Sequence, residues 1–149
     1  MCRRCTKRAV RAWGSSLSFT TLSAEHLATI ILGARRRVLY AAPGVSLPVA
    51  SALINARSRL GAEAVAIVID ASEGVLRLGY GVVDALSLLR EKQVTIRHAE
   101  GFRISFVVVD DEGFIFALPP LLVEEPSSTD DRPNAVRASR SLFDLLTVF

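Results

Sequence analysis

Ala64-Val-Ala-Ile-Val-Ile-Asp70 is the stretch that decides the fold class. It is an unbroken apolar run, rich in β-branched residues, closed by an acid and followed by the polar Ser72-Glu73-Gly74. A run of this length and composition reads as a β-strand buried on both faces, the habit of strands in a parallel sheet covered by helices. Toward the N-terminus, Gly61 ends a helix that starts at Ser46, with Ser46 as N-cap, Pro48 in the first turn, and Val49, Leu53 and Ala56 on the inner face. Pro43-Gly44 separates that helix from a short strand, Arg37 to Ala42. Another helix precedes it, Leu22 to Leu32, capped by Ser23, with Leu27, Ile30 and Ile31 in phase and Gly33 as its stop.

Toward the C-terminus, residues 71–81 (ASEGVLRLGYG) read as a glycine-punctuated loop, and Val82 to Lys92 as a helix with Val82, Leu86 and Leu89 in phase and Asp84 near its positive end. Val94 to His98 follows as a third strand. Ile104 to Asp110 and Phe114 to Leu118 then form a hairpin about Asp111-Glu112-Gly113. Strands alternating with helices predict an α/β fold, a mainly parallel sheet flanked by helices with a C-terminal β-hairpin. The organisation expected is a basic, disordered tail over 1–20, the α/β domain over 21–120, a polar linker over 121–134 after Pro119-Pro120, and a C-terminal amphipathic helix within 135–149, from Ala135 to Leu146.

Half of the 149 residues are apolar, which excludes a disordered chain and points to apolar surface covered by a partner. The net charge of +3 misleads: Arg3, Arg4, Lys7, Arg8 and Arg11 lie in the first eleven residues with no acid, and removing these five from the 18 basic residues leaves 13 against 15 acidic ones. The rest of the chain is therefore mildly acidic and carries no general basic face. The tail fits a disordered terminus, a charge-only contact with nucleic acid or anionic lipid, or an organelle-targeting segment over residues 1–24. No stretch is long and apolar enough to span a bilayer, and a cytoplasmic location is expected. Cys2 and Cys5 form a lone C-x-x-C without a second pair, and His26 and His98 have no ligand spacing, so neither a metal nor a cofactor is expected.

The pattern resembles one half of the phospholipase D superfamily over about residues 22–120. The likeness is carried by Arg35-Arg36-Arg37-Val38-Leu39-Tyr40 with the turn Ala42-Pro43-Gly44, by the central strand ending at Asp70, and by the closing hairpin from Gly101 to Ala117. In that family the hairpin carries His-x-Lys-x4-Asp, the His attacking phosphorus and the Lys neutralising phosphate oxygens, with a Gly-Ser and an Asn shortly after. The matching positions here read Arg103-x-Ser105-x4-Asp110, and the Gly-Ser-x-Asn positions fall near Ala117, Leu118 and Pro120. Only Asp110 matches. A guanidinium neither deprotonates nor attacks phosphorus near neutral pH. The resemblance thus implies a phospholipase D-like half with a degenerate site and no catalytic residues, acting as a protein-interaction or regulatory module. It also implies a homodimer or a second such half as partner, because the family builds one site from two motifs.

Other residues carry the alternatives, a phosphate- or nucleic-acid-binding module and a residual phosphodiesterase or hydrolase. Arg103 and Ser105 are candidate anion ligands, though an Arg here also fits an ion pair with Asp110 or Glu112. Ser46 opens a helix after a buried strand, a place where N–H groups meet an anion, and equally a plain N-cap. Arg77 and Tyr80, beside Gly79 and Gly81, lie past the strand that ends at Asp70, on the side of an α/β sheet where ligands bind.

Overall fold

The computed structural model describes residues 18–118 and 133–138. Its elements run β1 (Phe19–Thr20), α1 (Ala24–Leu32), β2 (Val38–Ala42), α2 (Leu47–Leu60), a 3-10 turn (Ala62–Ala64), β3 (Val65–Ile69), α3 (Glu73–Arg77), α4 (Val83–Glu91), β4 (Arg97–His98), β5 (Ser105–Val109), β6 (Glu112–Phe116) and β7 (Ala135–Arg137). The seven strands form one sheet in the order β1-β7-β6-β5-β2-β3-β4.

The fold is α/β, but the sheet is mixed rather than mainly parallel. Only β2–β3 and β3–β4 pair in parallel; β2–β5, β5–β6, β6–β7 and β7–β1 are antiparallel. The reason lies in the connection between β4 and β5, residues 99–104. A parallel return needs a crossover of about a dozen residues or more, and this one is too short. The hairpin therefore enters the middle of the sheet beside β2 instead of adding to an edge. Its turn is Asp110-Asp111, with Val109 opposite Glu112, and Asp110 has φ +53°.

Other expectations also change. The loop after Asp70 contains the short helix α3. The third strand shrinks to Arg97–His98, paired only with Val68 and Ile69, because Gln93 (φ +54°) turns the chain and only Val94 is buried before it. Residues 19 and 20 of the expected tail form strand β1, and the expected C-terminal helix begins as strand: Ala135–Arg137 pairs with both β6 and β1. Asn134, in the expected linker, fixes that arrangement. Its side chain accepts from Leu22 N–H at 2.7 Å and donates to Leu22 C=O at 3.0 Å, while its own N–H donates to Thr20 C=O at 3.1 Å. Three strong backbone bonds at one Asn override a weak helical propensity. The rest of the tail, the linker and the C-terminal segment, with Cys2 and Cys5, lie outside the described residues.

The two faces of the sheet differ. One carries Val38, Tyr40, Ala42, Ile67, Ile69, Val107 and Phe116, all buried against Leu27, Ile31, Leu53, Leu86 and Leu89 of α1, α2 and α4. Tyr40 donates its hydroxyl to Gly44 C=O at 2.8 Å, and burial pushes its pKa above the ordinary tyrosine value. Strand alternation and register place Phe19, Val136, Ile115, Phe106, Leu39, Ala66 and Val68 on the other face. Among the described residues no helix covers it: Phe19 is 65% exposed and Phe106, Leu39 and Val68 are half-buried, while Ala41 and Val108 on the same face are buried. The strand that reads as buried on both sides is buried on its helix-covered face and half-buried on the other.

Candidate functional site

The parallel strands β2, β3 and β4 all end at the same side of the sheet, where β5 begins. Asp70 is the residue after β3 and is wholly buried. Its Oδ2 accepts from Arg103 at 2.7 Å and from Gly101 N–H at 2.9 Å; its Oδ1 accepts from Ser72 N–H at 3.1 Å. Burial alone would raise the carboxyl pKa, but the Arg103 guanidinium, the Ser72 hydroxyl and the two N–H groups outweigh it and hold Asp70 far below the usual carboxylate range. Arg103 also donates to Phe102 C=O at 2.9 Å, and its side chain is 52% exposed. Next to this pair, His98 Nδ1 accepts from Ala71 N–H at 3.1 Å, so in the neutral ring the proton sits on Nε2.

The sheet end thus assembles Asp70, His98, Arg103 and, buried at the first position of β5, Ser105. Arg103 pairs with neither Asp110 nor Glu112. Asp110 stands at the far end of β5, seven residues on, about 23 Å away at strand rise. There its carboxylate accepts from the N–H groups of Arg35, Arg36 and Arg37 at 2.7–3.2 Å, which closes the loop between α1 and β2. Burial opposes its ionisation, but those N–H groups and the Arg36 charge lower its pKa. The one position that matches the family motif is therefore a structural cap within this chain.

Ser46 and Tyr80 lie on two turns that pack together at the neighbouring corner, after β2. Ser46 is the N-cap of α2 by conformation (φ −90°, ψ 160°) and makes no side-chain capping bond. The Gly79–Gly81 turn packs backbone to backbone on this corner: Val82 N–H donates to Val45 C=O at 3.1 Å, and a Cβ on Gly44 would overlap the Tyr80 carbonyl. Arg77 stands apart on α3, exposed and paired with Glu73 one turn back. Among the described residues no group of three or more His, Cys, Asp or Glu lies close enough to hold a metal ion, and no helix is long and apolar enough to cross a membrane.

The second candidate surface was not singled out from the sequence. A groove of about 580 Å³ runs over the bare sheet face, floored by Leu39, Ala66, Val68, Phe106 and Val108, with Phe102 and Ile104 at the β5 end and Arg37, Glu63 and Arg97 at its rim. Ile104 is 60% exposed. The available signal was the apolar content of the chain, half of its residues.

No family model matches the chain, and no curated protein matches it. Among solved structures, TrmBL2, an archaeal chromatin protein with a novel mode of DNA binding, is similar with a TM-score of 0.52 at 14% identity, over 93% of this chain and 52% of that one. The chain spans about half the length of that protein. At such identity the likeness is one of fold.

Proposed function

We propose that the chain is a non-catalytic, phospholipase D-like protein-interaction or regulatory module that binds through the bare face of its sheet, with a second copy or a second domain of the same kind as partner. The observation that carries this reading is the apolar groove over Leu39, Val68 and Phe106. An apolar groove rimmed by charged residues is the kind of surface at which partners dock. The ion pair supports the non-catalytic half of the reading: Arg103 stands where the family resemblance calls for a nucleophile, and its guanidinium is engaged by a buried carboxylate. Val68→Glu tests the proposal. It places a charge on the half-buried groove floor, outside the helix-covered core, and should cost about 1–3 kcal/mol, which urea unfolding measures beside the scattering. Light scattering across a concentration series should show self-association in the unsubstituted chain and its loss in the variant. Equal masses for both at every concentration would refute the role of this face.

A second reading, nucleic-acid or phosphate binding, is favoured by the fold likeness to TrmBL2 and by the half-exposed Arg103 beside His98. Anisotropy of a labelled DNA duplex should then fall steeply with salt, and Arg103→Ala should flatten that dependence. Salt-insensitive or undetectable binding would remove this reading. The neutralisation of Arg103 by Asp70 argues against strong anion capture, which is why the apolar face is preferred.

A further inference from the structure

The groove on the bare sheet face carries opposite charges at its two ends. Glu63, in the 3-10 turn before β3, stands at one end, and Arg97, opposite Val68 on β4, stands at the other. Both are exposed, and neither side chain makes a hydrogen bond or ion pair with another described residue. Glu63 precedes Val68 by five residues, roughly 15 Å along the chain, and the midpoint of that span is level with Leu39 and Ala66. At this level Ala66, Leu39 and Val108 stand side by side across three strands, an apolar row halfway between the two charges.

Such a surface is complementary to itself. A second copy, turned by half a revolution about an axis lying along the row and across the strands, sets Leu39 on the partner's Leu39. The same rotation brings each Glu63 over the partner's Arg97. The charges are one strand apart, an offset of about 5 Å, and face-to-face sheets lie about 10 Å apart. A Glu and an Arg side chain together span that gap. The other twofold, along the strands, is a poorer match. It brings Glu63 toward the partner's Arg37, whose Nε donates to Asp110 C=O at 3.2 Å within its own chain. It also sets Arg97 over the partner's Phe106, with no acid opposite.

We propose that the occupant of the groove is a second copy of this chain, docked with its strands antiparallel about a twofold axis along Ala66, Leu39 and Val108. Two Glu63–Arg97 pairs close the ends. This rests on the interaction reading above and adds to it the partner's identity and orientation. The apolar row supplies the attraction, and the rim pairs select the orientation.

Charge exchange on the full chain is the test. A Glu63→Arg homodimer has two arginines at each end, and an Arg97→Glu homodimer two glutamates, so each variant alone should self-associate at least about tenfold more weakly. Both side chains are exposed, so the fold is retained. Mixed in equal amounts, the two variants should form a heterodimer, because every pair across that interface is again one Arg and one Glu. With one variant isotopically heavy, native mass spectrometry should show the mixed species in excess of both homodimers. Light scattering of the mixture should recover the mass of the unsubstituted chain at the same total concentration. A mixture no more associated than its separate components would overturn the antiparallel docking. If Val68→Glu still dissolves the dimer in that case, the role of the face stands without this geometry. An unsubstituted chain that is monomeric at every concentration would overturn both.

Discussion

Asp70→Ala should lower the unfolding free energy by about 2–4 kcal/mol, because two backbone N–H groups lose a buried acceptor while the half-exposed Arg103 can turn to water. The substitution strips partners from Arg103, from Gly101 N–H and from Ser72 N–H at once, at a position with no solvent exposure to repair the loss. Urea unfolding should show a lower midpoint with an unchanged slope. Asp70→Asn keeps an acceptor oxygen and should cost less, about 1–3 kcal/mol. The acid limb supplies a second readout. Because the folded pKa of Asp70 is depressed from 3.8, its contribution is complete above that value and drains away as pH falls toward the folded one. Asp110, lowered in the same direction, adds to the same limb. The Asn variant should therefore lose less stability than the unsubstituted chain between pH 4 and pH 2. Parallel acid limbs for the two proteins would show that Asp70 is not the group responsible.

Gly44→Ala is expected to be about as severe, for a steric reason. The added carbon would fall inside contact distance of the Tyr80 carbonyl and 2.8 Å from Gly81 N, both backbone atoms that no side-chain rotation can move. The corner after β2 must open or the Gly79–Gly81 turn must detach, at a cost of about 3 kcal/mol. For a domain of this size that corresponds to a melting temperature lower by about 10 °C. Gly81→Ala meets the same wall from the other side and adds the strain of a side chain at φ +76°. Melting temperatures within a degree or two of the unsubstituted chain for both variants would mean that the two turns are not held together in solution.

The helices and the inner strands are legible in the sequence because each rests on local signals. Ser23 with Gly33 and Ser46 with Gly61 mark the ends of α1 and α2, and the Val65–Ile69 run has no helical phase. Sheet direction was not legible in that way. A strand carries no mark of its neighbour's direction; the short connection 99–104 was the available clue, and it was outweighed by the alternation of helices and strands. β1 and β7 escaped for another reason. At two and three residues, neither is long enough to show alternation, and both depend on Asn134 reaching Leu22 across 112 positions. At the sheet end, the sequence marks Arg103 as a candidate anion ligand and Asp70 as the end of a strand, while their pairing is a product of the fold. The bare face was hidden by the same apolar run that revealed the strand, since a run buried on two sides and a run awaiting cover on one have the same composition.

The bond between the first and last described strands also bears on how the domain is built. Helices α1 and α2 and strands β2 and β3 meet neighbours a few tens of residues away, so they can assemble while the chain is still being synthesised. Phe19 and Thr20 are made early, yet their partners are Val136 and Ala135. Until those residues leave the ribosome, β6 presents an unpaired edge, the surface most prone to wrong pairing with another nascent chain. Pairing of β1 with β7 therefore waits until residues 135–137 have been made, and Asn134, which holds Leu22 beside the start of β7, helps to close that edge.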